Sequence, residues 1–294
     1  MSSYIHITTQ DDLAPKTRAF YCKVLTTLKA SGIPFLVGGT YAFERYTGIV
    51  RHTKDLDIFV RRSDCDRIFE VFAAIGCSTE LAYPHWLGKV FWQEDFVDVI
   101  FNSANGEDEV DDAWFENAVE ETVFDIPVNI CSAEELIRSK AFIMERERYD
   151  GADVAHLLHG CNEQLDWSRL LERFGSHWRV LFSHLILFGF IYPSDRQKIP
   201  DWVMQKLLHR LQQEMSSEPP KKRVCQGTLL SRAQYLIDIE SWEYGDARLH
   251  PRGNMSADEI EQWTAPIFEQ ECKPAIEEIS ECDQGSSSVT AIPD

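Results

Sequence analysis

Asp55 and Asp57 stand two residues apart in the run Thr53-Lys54-Asp55-Leu56-Asp57-Ile58-Phe59-Val60. Side chains alternate faces along a strand, so acids at this spacing point the same way. Adjacent like charges repel, and a protein tolerates them mainly where a cation sits between them. Asp98 is a lone acid in the apolar run Phe96-Val97-Asp98-Val99-Ile100-Phe101, with Asp95 a rival three residues earlier. Upstream, Phe35-Leu36-Val37-Gly38-Gly39-Thr40 reads as an apolar strand ending in a double glycine. Glycines there let the backbone approach a phosphate, and a helix starting after them offers its N-terminus to an anion. The chemistry implied is metal-dependent phosphate handling, with Asp55, Asp57 and Asp98 as hard oxygen ligands for Mg2+ or Mn2+. An Asp-x-Asp pair alone is common; the ordered series of strand, Gly-Gly, helix, acid pair and later acid-bearing strand is far more specific.

The elements that must position these residues can be read from periodicity. Phe20, Val24, Leu25 and Leu28 recur at helical spacing over 14–31, and Ser31-Gly32 supplies a stop. A strand over 33–37 leads into a helix over 40–46, and 55–60 form the acid-bearing strand. Ser63 or Asp64 can cap a helix that carries Ile68, Phe69, Val71 and Phe72 and ends near Gly76. Strands follow at 89–92, 96–101 and 128–131. Strand–helix alternation followed by successive strands predicts an α/β (α+β) fold with a mixed sheet and flanking helices. From Ser132 the pattern turns helical. Ser132 with Glu135 reads as a capping box, and Leu136, Ile137, Lys140, Ala141 and Met144 form one stripe. Helical segments follow near 150–160, 166–174, 177–191 and 200–215; Ser216 to Arg223 reads as a linker and 229–239 as a further helix. The organisation expected is a sheet domain over 1–131, a helical domain over 132–215, a partly helical C-terminal extension over 216–276 and a disordered acidic tail over 277–294.

Composition narrows the function. The formal net charge of −19 argues against a long nucleic-acid partner and fits a small, cationic substrate better. Asn105 to Asp125 holds nine acids and no base, and reads as a solvated loop and helix face. Eight cysteines without a Cys-x-x-Cys pair read as reduced thiols in a cytoplasmic protein. Val180 to Tyr192, the most apolar stretch, is too short for a membrane span and contains Ser183 and His184, and the polar Met1 to Asp12 is no secretory signal. His156 and His159 read as ordinary helix histidines, and Trp167, Trp178, Phe182 and Phe188 as core.

The Gly-Gly turn, the Asp-x-Asp and the later acid together resemble the nucleotidyltransferases of the DNA polymerase beta superfamily. Phe35 to Val60 is most similar to its bacterial branch of stand-alone and abortive-infection-toxin-like members, with Arg51, Thr53, Asp55 and Asp57 matching an Arg-x-Thr-x-Asp-x-Asp run. Ala133 to Leu158 is similar to the family's lysine-bearing helix and the Arg-x-x-Asp-x-x-Asp-like segment after it; Lys140 matches the lysine, and Arg148, Asp150 and Asp153 fall in that segment. The likeness covers about residues 20 to 160. Many members carry Ser where this chain has Gly39, and Thr40 offers a hydroxyl one residue later. The resemblance implies a nucleotidyltransferase fold followed by a helical C-terminal domain, with a nucleoside triphosphate (NTP) in the cleft between them. It implies Mg2+ or Mn2+ at Asp55, Asp57 and Asp98, and Asp98 as general base. It implies nucleotide contacts from Gly38, Gly39, Thr40, Arg51, Thr53 and Lys140. A nucleoside monophosphate would pass to an acceptor hydroxyl, releasing pyrophosphate. The acceptor stays open: a small cationic compound such as an aminoglycoside, or a tRNA or protein as in toxin-type members. A non-catalytic nucleotide-binding module is the further alternative.

Overall fold

Helix α1 (Pro15–Ser31) has a proline in its first turn, buries Phe20, Tyr21, Val24, Leu25 and Leu28, and ends at Gly32, whose φ of +70° closes the last turn. It opens a computed structural model that describes residues 13–53, 55–161 and 163–271. The polar stretch Met1 to Asp12 and the expected tail over 277–294 lie outside the described residues.

After α1 come β1 (Leu36–Val37), α2 (Gly39–Thr47), β2 (Asp57–Phe59), α3 (Cys65–Ala74), β3 (Ser78–Tyr83), β4 (Leu87–Trp92) and β5 (Asp95–Ile100). Then α4 (Asp112–Glu116) leads to the hairpin β6 (Val119–Val123) and β7 (Ile126–Ile130). These strands form one seven-stranded sheet in the order β3-β4-β5-β2-β1-β7-β6. The sheet is mixed: β2 runs parallel to β5 and antiparallel to β1, and β1 runs parallel to β7. The central strands are buried, as Leu36, Val37, Ile58, Val97, Val99 and Ile130 show. Central strands covered on both faces read as continuous apolar runs, so an acid within one is conspicuous.

Helices α5 (Ala133–Ala141), α6 (Gly151–Gly160), α7 (Trp167–Phe174), α8 (Trp178–Ile191) and α9 (Asp201–Met215) follow. Helix α5 packs against α2, α6, α7 and α8. Trp167, Trp178 and Phe188 are buried and Phe182 partly so, within a core continuous with that of the sheet. Residues Trp167–Ile191 together are long and apolar enough by composition to cross a membrane, more than Val180 to Tyr192 alone offered. Their inner side, including Trp178, Leu181, Leu185 and Phe188, is packed inside the protein. The expected helix over 229–239 is replaced by a short turn at Gly227–Leu229 and by α10 (Leu236–Glu240), flanked by β8 (Val224–Cys225) and β9 (Gly245–Asp246); α11 (Ala257–Glu271) ends the described chain. The described cysteines, 22, 65, 77, 131, 161 and 225, are all free.

Two expectations are corrected by one buried charge network. Ser132 and Glu135 make no capping box: Ser132 gives α5 no side-chain cap. Its hydroxyl instead accepts from Arg169 at 2.9 Å, and Glu135, fully buried, pairs with Arg169 and, at 3.1 Å, with Arg173. The acidic stretch 105–125 is likewise not simply solvated. Asp108 is buried 3.2 Å from Arg138 and 3.3 Å from Arg173, Trp114 is core, and strand β6 takes up Glu120 and Glu121. These pairs join the loop after β5 to α5 and α7. Truncating one partner of a buried pair leaves the other's charge uncompensated. Glu135→Ala should cost roughly 3–5 kcal/mol in urea unfolding, whereas Glu120→Ala, exposed on β6, should change stability by less than about 0.5 kcal/mol.

Candidate active site

Lys89, Asp98 and Asp57 form one row across three neighbouring strands. The parallel β2–β5 register sets Asp57 opposite Asp98, and the antiparallel β4–β5 register sets Asp98 opposite Lys89. Side chains at directly paired positions share a face, so all three emerge on the same side of the sheet. The row continues to Gly38, whose N–H donates to the Asp57 carbonyl at 3.0 Å. Asp55 is not on the strand, as expected, but just ahead of it; the Thr53 hydroxyl donates to its Oδ1 at 2.5 Å. One carboxylate oxygen from each of Asp55, Asp57 and Asp98 lies within 4.8 Å of the others. Asp95, the rival acid, points to α1, where it accepts from the Thr17 hydroxyl at 2.7 Å.

The like charges leave a mark on the acids themselves. Burial, then Asp55 and Asp98, push the Asp57 carboxyl up to about 7, against the pull of Lys140 and Arg148. Burial also raises Asp98, although Lys89 donates to its Oδ1 at 2.6 Å and opposes the shift. The donor set is all carboxylate oxygen, the hard chemistry that suits Mg2+ or Mn2+.

The double glycine makes room for these acids. Gly39 has a φ of +54°, and a Cβ there would come within 1.8 Å of Asp57 Oδ2. A Cβ on Gly38 would meet the Phe59 ring at 2.1 Å. Both glycines therefore have a reason besides the approach of a phosphate: α2 starts directly against β2. Its unpaired N–H groups and positive end lie beside Asp57.

Lys140, near the end of α5, lies 3.3 Å from Asp150 and 2.8 Å from Asp153. Arg148 reaches both oxygens of Asp150, at 2.9 and 2.8 Å. Burial raises Asp150 and Asp153, but hydrogen bonds from Arg148, Arg51 and Lys140 outweigh it, and both carboxyls end below the usual carboxylate range. Arg51 pairs with Asp153 at 2.6 Å and lies 4.2 Å over the Phe43 ring. His156 packs edge-on against Phe43, and His159 pairs with Asp195 at 3.0 Å.

A cleft of about 570 Å³ opens over the acids, lined by Gly39, Thr40, Asp55, Asp57, Asp98, Lys140 and Arg148. Gly38, Arg51 and Thr53 do not line it; Arg51 and Thr53 support Asp153 and Asp55 instead. The far wall comes from Trp86, Asp108, Trp114, the segment Thr228–Arg232 and Trp263. Glu145 clamps that segment, accepting from the Arg232 N–H at 2.9 Å and from the Ser231 hydroxyl. Trp263 meets Tyr83 and Trp86 edge-on, at 4.9 and 5.5 Å between ring centres. The sequence reading missed Trp86, Asp108 and Trp263 as cleft residues, and Lys89 as the partner of Asp98. For Lys89 a signal existed: the turn at Gln93-Glu94 pairs Trp92 with Asp95, and counting back sets Lys89 opposite Asp98.

No protein-family model matches the chain, and no curated protein matches its sequence. Among solved structures, the antibiotic-resistance factor ANT(2'')-Ia is similar at 15% identity and a TM-score of 0.42, covering 60% of this chain and 99% of that one. ANT(2'')-Ia in complex with adenylyl-2''-tobramycin is similar at 16% identity and a TM-score of 0.41, covering 55% and 99%. The lincomycin-bound lincosamide antibiotic adenylyltransferase LnuA is similar at 17% identity and a TM-score of 0.36, covering 49% and 96%. These are distant likenesses, and the acid cluster stands on its own geometry.

An acid whose folded pKa is raised binds its proton more tightly in the folded state. Its contribution is therefore fully present below about pH 4 and lost as pH rises through about 7. In metal-free protein at pH 8, Asp57→Asn should raise stability by roughly 1–3 kcal/mol, and Mn2+ should raise the melting temperature of the parent protein but not of Asp57→Asn. Gly39→Ala should also abolish the Mn2+ effect, because its Cβ displaces the Asp57 carboxylate. Thermal melts across pH, with and without Mn2+, check both.

Proposed function

We propose that this chain is a divalent-metal-dependent nucleotidyltransferase that moves a nucleoside monophosphate from an NTP to a hydroxyl of a small cationic acceptor. The observation that carries it is the convergence of Asp55, Asp57 and Asp98 in the floor of a cleft that also holds the N-terminus of α2, Lys140 and Arg148. Phosphoryl transfer asks the protein for positioning and charge neutralisation rather than covalent chemistry. Asp55 and Asp57 would hold Mg2+ or Mn2+, with Asp98 completing the set, and a metal held there would supply positive charge at the phosphates. The Gly39–Thr40 turn at the start of α2, with Lys140 and Arg148, receives the triphosphate. Asp150 and Asp153 aim Lys140, and Asp150 aims Arg148. Asp98 takes the proton of the acceptor hydroxyl as its oxygen bonds to the α-phosphorus and the bond to the β-phosphate bridging oxygen breaks. Pyrophosphate leaves.

The acceptor side of the cleft favours a cation. Beyond the acid trio, Glu145, Glu147 and Asp108, the last paired with Arg138 and Arg173, line the cleft, with Arg232 the base on that side. Trp86 and Trp263 add flat apolar faces, which suit the rings of a small organic acceptor and the face of a cation. A polynucleotide acceptor would call for a basic track along its phosphates, and the lining supplies the opposite balance. The test is incubation of the protein with each α-phosphate-labelled NTP, Mg2+ and a panel of amino-alcohols and RNAs. Label should pass to an amine-bearing acceptor with release of pyrophosphate, and Asp55→Ala or Asp57→Ala should lower the rate by at least about a hundredfold. No transfer to any acceptor, together with no Mg2+-dependent NTP binding, overturns the reading.

A further inference from the structure

Lys89 closes the carboxylate row from the side opposite Asp57. Its Nζ lies 2.6 Å from Asp98 Oδ1 and 4.3 Å from the centre of the Phe96 ring, and its side chain is 25% exposed. The position is fixed by backbone, because β4 and β5 pair in unbroken register from Trp92 opposite Asp95 to Leu87 opposite Ile100. Lys140, the ammonium that lines the cleft, is engaged by Asp150 and Asp153 on α6 and its approach. Lys89 is thus the ammonium hydrogen-bonded to the acid trio, while Lys140 acts on Asp57 without such a bond. Three ionised carboxylates carry three negative charges, and Lys89 offsets one. The two that remain match a single divalent ion. An ammonium at hydrogen-bond distance also occupies one oxygen of Asp98 and repels a divalent ion approaching that same carboxylate.

We propose that Lys89 is a built-in cation that takes one of the two cation positions around the acid trio. The nucleotide-free protein then binds one divalent ion, held by Asp55 and Asp57, and a second can enter only with the negative charge of a triphosphate. Asp98 is left with Oδ2 turned to the remaining ion or to the acceptor. The inference rests on the acid trio being a metal site, as in the function proposed above, but not on the identity of the acceptor.

The test is to count Mn2+ ions bound to the nucleotide-free protein, reading free Mn2+ by electron paramagnetic resonance. Parent, Lys89→Arg, Lys89→Met and Lys89→Gln proteins are compared, each first checked for a cooperative thermal melt; Lys89→Gln keeps a polar contact to Asp98 should Lys89→Met fail to fold. The parent and Lys89→Arg should bind one ion per chain, and Lys89→Met and Lys89→Gln two. Two ions on the parent, or one ion on both neutral variants, overturns the role of Lys89 while leaving the metal site in place. No ion on the parent, with Asp57→Asn indistinguishable from it, overturns the metal site and this inference with it.

Discussion

Carboxylates set side by side on one face of a sheet repel each other, and burial sharpens the repulsion because less water screens it. Asp57 shows the consequence most clearly, its carboxyl pushed up to about 7 by burial and by its two neighbours. Several parts of the chain can be understood as answers to that repulsion. Lys89 sits on Asp98, the Thr53 hydroxyl holds Asp55, and the start of α2 brings its positive end to Asp57. None of these removes the excess negative charge. A site built this way has a free-energy gain waiting for any divalent ion that enters, and this is the physical basis of the function proposed.

Helix α5 links this site to the rest of the fold. At its start, Glu134 and Glu135 anchor it to Arg169 and Arg173 of α7. Near its end, Lys140 faces the cleft and is held by Asp150 and Asp153. The buried pairs at one end thus fix where the ammonium at the other end stands. The loop after β5 belongs to the same arrangement, since Asp108 pairs with Arg138 and Arg173 and also borders the cleft. The segment Thr228–Arg232, clamped by Glu145, closes the cleft from a part of the chain that lies far beyond the sheet.

What could be read from the sequence was local. An acid in an apolar strand and a glycine pair before a helix are visible one element at a time, and the structure brings Asp55, Asp57 and Asp98 together within 4.8 Å. The mixed sheet with flanking helices also follows from the order of periodic segments. Non-local partners were harder. Ser132 and Glu135 match a capping box in sequence, yet Arg169, more than thirty residues on, offers both of them a stronger partner. The acidic stretch 105–125 looks solvated until Arg138 and Arg173 are placed beside it. Strands β3 and β6 are poor in apolar residues, with Ser78, Thr79 and Glu80 in one and Glu120, Glu121 and Thr122 in the other, so neither stands out as an apolar run. Trp263 reaches the cleft through a contact with Tyr83 and Trp86 that no spacing in the sequence encodes.

The most direct measurement is anomalous X-ray diffraction from crystals grown with Mn2+. The expected result is a peak about 2.1 Å from carboxylate oxygens of both Asp55 and Asp57. Saturating Mn2+ with no peak at these carboxylates, or with peaks only at other surface acids, would contradict it.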